Sequence, residues 1–76
     1  MPDNEEYLDV KGLLCPLPVL KARKRLSGLP AEAILKVDAT DPASMIDFPH
    51  YCNESGNILV RHSQQDGVYT FWVRKT

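Results

Sequence analysis

Metal chemistry has little to work with in this sequence, which holds two cysteines and two histidines and no CxxC spacing or Cys/His cluster. That scarcity argues against a structural zinc site, so neither a metal nor an organic cofactor is expected. Two thiols, Cys15 and Cys52, are also too few for the dense disulfide framework of small secreted domains. No apolar run approaches the roughly 20 residues that cross a bilayer. The start, Met1-Pro2-Asp3-Asn4-Glu5-Glu6, is acidic where a signal peptide is basic. A cytoplasmic location without membrane association is the default expectation. An excess of one charge sign is missing too. The net charge of −1 carries no global nucleic-acid signal, and no direct nucleic-acid binding is expected.

What remains is the composition of an ordinary globular protein, 43% hydrophobic and 25% charged over 76 residues. That length supports one domain with a modest core, here residues 1–76 with 1–6 frayed.

The most informative element is Cys15-Pro16-Leu17-Pro18, set against the basic amphipathic stretch from Val19 to Leu26. Two prolines this close would break a helix interior but are tolerated in a first turn, where the N–H groups have no intrahelical partner. The pattern places one thiol at the mouth of a helix running from Pro16 to about Leu26. With Cys15 as its cap, Pro16, Leu17 and Pro18 fill the first three helical positions. The positive end of the helix dipole favours thiolate. The prolines remove donors, leaving the Leu17 N–H as the nearest one to the sulfur, so a modestly activated thiolate is expected. Val19, Ala22 and Leu26 form the buried stripe, which puts Cys15 at the rim of the core. Leu17 falls on the opposite side with Lys21 and Lys24, as a docking surface would.

Around this element the chain reads as alternating short pieces. Tyr7 to Val10 is a first strand, closed by Gly12. Gly28 and Pro30 end the first helix, and Ala33 to Asp38 is a second strand. Asp41-Pro42-Ala43-Ser44 is a capped turn. Pro49 favours a second helix that restarts at Asp47, with Met45, Phe48 and Cys52 near one face. Gly56-Asn57 stops it. Asn57 to His62 and Val68 to Arg74 are two further strands, joined by a hairpin loop at Gln64-Gln65-Asp66-Gly67. The order βαβαββ predicts an α+β fold: a two-layer sandwich in which two helices cover one face of a four-stranded mixed sheet. Tyr69, Phe71 and Val73 then face the core. Thr70, Trp72 and Arg74 take the open face.

Neither His50 nor His62 is placed beside Cys15 by this topology. A Cys-His hydrolase needs an imidazole within hydrogen-bond reach. A carrier of sulfur needs only an accessible thiol.

Leu8-Asp9, Gly12, Cys15-Pro16-Leu17-Pro18, Asp41-Pro42-Ala43-Ser44, Asp47-Phe48-Pro49 and the aromatic-rich last strand together resemble the TusA (SirA-like) sulfur-carrier family, from Tyr7 to Arg74. The resemblance implies a sulfurtransferase of the carrier type, with the βαβαββ fold. Such a protein takes a sulfane sulfur from a cysteine desulfurase or rhodanese-like donor as a persulfide. It relays that sulfur to an acceptor protein in tRNA thiolation, molybdenum-cofactor or sulfur-oxidation pathways. Carried onto this chain, it makes Cys15 the persulfide-bearing residue, with Pro16, Leu17 and Pro18 as supporting motif. Arg23 and Lys24 become docking residues beside Leu17 and Lys21, and Asp41 falls near the same surface. One departure stands out: Leu17 occupies the position where tRNA-thiolation members carry glutamate.

Three other readings compete. In an adaptor module Cys15 is only a cap. An RNA-binding domain would use the basic helix and Trp72. A redox switch would pair Cys15 with Cys52, whose place beside Phe48 instead marks it as a small core hydrophobe.

Overall fold

The structure, a computed structural model, describes residues 5–76. Six elements follow in the expected order: β1 (Glu5–Asp9), α1 (Leu17–Ser27), β2 (Ile34–Ala39), α2 (Ser44–Ser55), β3 (Ile58–Gln65) and β4 (Val68–Arg74). They form one four-stranded mixed sheet with strand order β1-β2-β4-β3. β1 and β2 run parallel, with Tyr7 opposite Lys36, while β4 is antiparallel to both of its neighbours. The parallel pair joined through α1 is the βαβ unit, and β3–β4 is the hairpin. Asp66 and Gly67, both at positive φ, make its two-residue turn.

The core lies between the sheet and the helices. Strict alternation in β2 sends Leu35, Val37 and Ala39 inward, where they meet Phe71 and Val73 of β4, Ala22 and Leu26 of α1, and Phe48 and Cys52 of α2. Residues four apart supply the inner face of each helix: Pro18, Ala22 and Leu26 in α1, and Ser44, Phe48 and Cys52 in α2. Val19 is only half-buried.

Several boundaries differ from expectation. Glu5 and Glu6 pair with Ile34 and Leu35 in β1 and are not frayed, while residues 1–4 lie outside the described residues. Cys15 is not the cap of α1. Pro16 holds that position, where its ring offers no capping acceptor, and the chain first closes a turn in which the Leu17 N–H donates to the Leu14 carbonyl at 2.9 Å. The helical ladder begins only with Leu20 N–H to Pro16 O, at 3.1 Å. α2 runs unbroken from Ser44 through Pro49 instead of restarting at Asp47. The lost bond and ring clash at Pro49 are outweighed by the burial of Phe48 and Cys52 on either side of it. β3 continues through Gln64 and Gln65, leaving only Asp66 and Gly67 for the turn.

On the open sheet face Trp72 is half-buried beneath two cations. The Arg61 guanidinium carbon lies 4.2 Å and the Lys36 ammonium 5.6 Å from a Trp72 ring centroid. Thr70 is buried there, its hydroxyl donating to Asp38 Oδ1 at 2.6 Å.

Candidate functional site

Cys15 sits in the connection between β1 and α1, at the end of the sandwich where β2 hands over to α2. Two consecutive residues of that second connection hold the first one in place. Thr40 Oγ1 accepts from the Gly12 N–H at 2.9 Å, and Asp41 Oδ2 accepts from the Cys15 N–H at 2.5 Å. Asp41 Oδ1 accepts from the Ala43 N–H at 3.1 Å, so one carboxylate shapes the entry to α2 and the backbone of the thiol residue together.

The thiol is exposed and not tucked at the rim of the core. Its surroundings are apolar and acidic. Ile46 and Leu14 are the two most exposed large apolar residues among those described, at 74% and 69%, and Leu17 is exposed at 45%. Leu14 adjoins Cys15 in sequence, Leu17 follows it by two residues, and Ile46 lies in the first turn of α2 beside Asp47. Asp41 and Asp47 supply the acidic component, and both are half-buried.

That electrostatic setting reverses the expected thiolate activation. The Asp47 carboxylate, as hydrogen-bond acceptor for the thiol, pushes the Cys15 pKa up, and desolvation and the negative charges of Asp47 and Asp41 push the same way. The Leu17 N–H cannot counter this, because the Leu14 carbonyl already occupies it. The resting side chain is therefore a thiol. Cys52 is buried under α2, its pKa also raised by desolvation, and both cysteines are free.

Other groups expected at the site separate. Leu17 stays with Cys15 and exposes its side chain. Lys21 and Lys24 line a groove of about 520 Å³ between α1 and β1, together with Glu6, Leu8 and Arg25. Lys24 lies about 10 Å along the helix axis beyond Leu17. Arg23 points to the other flank, where it borders Tyr51 and Glu54 of α2. The basic residues are thus two surfaces and not one patch around the sulfur. Among the described residues no group of His, Cys, Asp and Glu is arranged to hold a metal ion, and no helix is long and apolar enough to cross a membrane.

Sequence reasoning missed Leu14, Ile46, Thr40 and the electrostatic role of Asp47. A helical wheel finds Ile46, since two residues before Phe48 lies on the far side of a helix whose inner face is Ser44, Phe48 and Cys52. The Thr40 and Asp41 bonds have no local signal, because they join segments 28 and 26 residues apart.

The family model for the sulfurtransferase TusA matches residues 6–75. The sulfur carrier protein TusA of Allochromatium vinosum is 38% identical over 76 residues, covering both chains in full. That of Pseudomonas syringae pv. syringae is 41% identical over 68 residues, 90% of this chain and 81% of its own. A crystal structure of a SirA-like protein from Desulfitobacterium hafniense superposes with a TM-score of 0.81 over 91% of this chain and 95% of its own. At 24% identity it bears on the fold alone. With its fold, its Cys-Pro-Leu-Pro element and these relatives in agreement, the chain belongs to the TusA family of sulfur carriers.

Proposed function

We propose that this protein carries sulfur as a persulfide on Cys15, receiving it from one protein and delivering it to another. The observation that supports this most strongly is an exposed thiol that makes no hydrogen bond to an imidazole, with exposed Leu14 and Leu17 close to it along the chain and exposed Ile46 next to Asp47. A hydrolase would need a base beside the sulfur, whereas a carrier needs access and a surface on which partners seat.

The chemistry closes without oxidant or reductant. The Cys15 sulfur attacks the terminal sulfur of a donor cysteine persulfide. The donor S–S bond breaks as the new S–S bond forms on Cys15. The proton leaving the Cys15 thiol ends on the donor cysteine sulfur, and the sulfane sulfur moves at constant oxidation state. Delivery is the same step in reverse sense: an acceptor thiolate takes the terminal sulfur and Cys15 leaves as thiolate. Asp47 and Asp41 hold the unloaded side chain as thiol, which suppresses side reactions until a partner covers the site.

The donor is a cysteine desulfurase or rhodanese-like protein, and the acceptor a protein thiol in a thiolation, molybdenum-cofactor or sulfur-oxidation system. Leu17, at the lip of the thiol, is the residue that selects between acceptors. A reducing, cytoplasmic setting suits a thiol that must stay free. To test this reading, the chain is incubated with a rhodanese and thiosulfate, separated from both, and treated with cyanide. Stoichiometric thiocyanate from wild type and none from Cys15→Ser is the expected result. Equal yields from the two proteins refute a Cys15 persulfide.

A further inference from the structure

We propose that Asp41 is the positioning residue of the Cys15 sulfur, fixing the thiol-bearing loop to the start of α2 through the Cys15 amide. The inference takes from the carrier reading what the sulfur does, and from hydrogen-bond geometry where the sulfur is held.

The Asp41 carboxylate is anchored within the chain at both oxygens: Oδ2 accepts from the Cys15 N–H and Oδ1 from the Ala43 N–H. Its backbone carbonyl accepts from the Ser44 N–H at 2.9 Å, and the side chain is half-buried. The preceding residue, Thr40, binds the Gly12 N–H. Neighbouring residues of one connection thus pin the two ends of the Gly12–Cys15 segment, and a further bond from Val10 N–H to Asp38 O secures its approach at 2.9 Å.

Packing cannot do this work. Gly12, Leu14, Cys15 and Pro16 are all exposed, and only Leu13 reaches the core margin. With no burial to hold it, the placement of the sulfur over α2 depends on these polar contacts. In-line attack on a persulfide demands such placement, since a displacement of about 1 Å can cost on the order of 100-fold in rate. The residue type fits as well. A carboxylate accepts at both oxygens, whereas asparagine offers one acceptor and one donor. Asp41→Asn therefore keeps the Ala43 bond or the Cys15 bond but not both.

This assignment moves Asp41 from partner contact to internal support, and the two roles separate experimentally. A docking contact acts on KM, and a positioning residue acts on kcat. Loading of wild type, Asp41→Asn and Asp41→Ala by a cysteine desulfurase is measured alongside exchange of the Cys15 amide by NMR. For Asp41→Ala, kcat falls about tenfold with KM within about twofold of wild type. Its Cys15 amide loses protection while the Leu35 and Val37 amides keep theirs, which shows an intact sheet. Asp41→Asn lies between the two and covers the case in which the alanine variant fails to fold. A raised KM at unchanged kcat, or a Cys15 amide as protected in both variants as in wild type, overturns the proposal. Failure of wild type to load at all overturns the carrier reading instead, and the amide exchange then decides the role of Asp41 by itself.

Discussion

The ring of Phe48 lies flat on that of Phe71, with centroids 4.5 Å apart and 14° between the planes. Both are fully buried, so this stack ties α2 to the central strand β4. It also explains why α2 passes through Pro49 without breaking: the residue before the proline is anchored in the core. Because α2 begins at the site, the same anchor holds Ala43 to Asp47 beside Cys15.

Replacing Phe48 by alanine deletes the ring and leaves a cavity under the helix. The expected cost is about 3–5 kcal/mol, a large share of the stability of a domain this small. Urea unfolding of Phe48→Ala measures it, and a loss below about 1 kcal/mol would contradict the placement of Phe48 at the centre of the core.

The acidic surroundings of Cys15 set its reactivity. Because a hydrogen bond to Asp47, desolvation and the charges of Asp47 and Asp41 all favour the thiol, alkylation by iodoacetamide should climb only above the pH at which an ordinary cysteine reacts. Asp47→Asn removes the negative charge beside the thiol and weakens the acceptor, so its rate–pH profile shifts toward lower pH. A profile that coincides with wild type would show that Asp47 does not act on the sulfur.

A partner that covers the thiol must also cover Leu14, Leu17 and Ile46. Leu14→Asp and Ile46→Asp place charge on exposed positions, so folding is unchanged within about 0.5 kcal/mol. Sulfur transfer drops several-fold in each. Leu17→Glu places an acid beside the thiol, so loading continues while the preferred acceptor changes. Equal transfer to every acceptor before and after that substitution would remove Leu17 from partner selection.

Asp38 links the open face to pH. Desolvation pulls its pKa up, but hydrogen bonds from the Thr70 and Tyr7 hydroxyls and the positive charges of Lys36 and Lys11 together outweigh it, and the net shift is downward. The same contact pushes Tyr7 up to about 12. A carboxylate with a lowered folded pKa contributes stability that is present above its unfolded pKa and lost as pH falls through the folded one. The Tm advantage of wild type over Asp38→Asn should therefore be full at neutral pH and shrink below about pH 4. An advantage that is constant from pH 7 to pH 3 would contradict this.

How much of this was legible in the sequence varied with the range of the interaction. Element order, the buried face of β4, and the helix stop at Gly56 follow from periodicity and capping, which are local. The inner face of α2 was legible as well, since Phe48 and Cys52 lie four apart. Its start was not, because Pro49 argues locally for a break that the Phe48–Phe71 stack overrides from another strand. Cys15 stood out through its prolines, yet its protonation state was misjudged. The helix dipole and the nearby donors favour thiolate locally, but the Leu17 N–H is taken by the Leu14 carbonyl, which only the folded turn reveals. No local signal brings Asp47, 32 residues away in the sequence, to the thiol. The basic residues of α1 read as one patch in sequence, and the helix surface divides them between two flanks.

The most direct test of sulfur carriage is the intact mass, under non-reducing conditions, of wild type, Cys15→Ser and Cys52→Ser after incubation with a cysteine desulfurase and cysteine. The expected result is a gain of one sulfur atom, reversed by reductant, on wild type and Cys52→Ser but not on Cys15→Ser. A gain that persists in Cys15→Ser, or no gain from either a desulfurase or a rhodanese donor, would contradict sulfur carriage on Cys15.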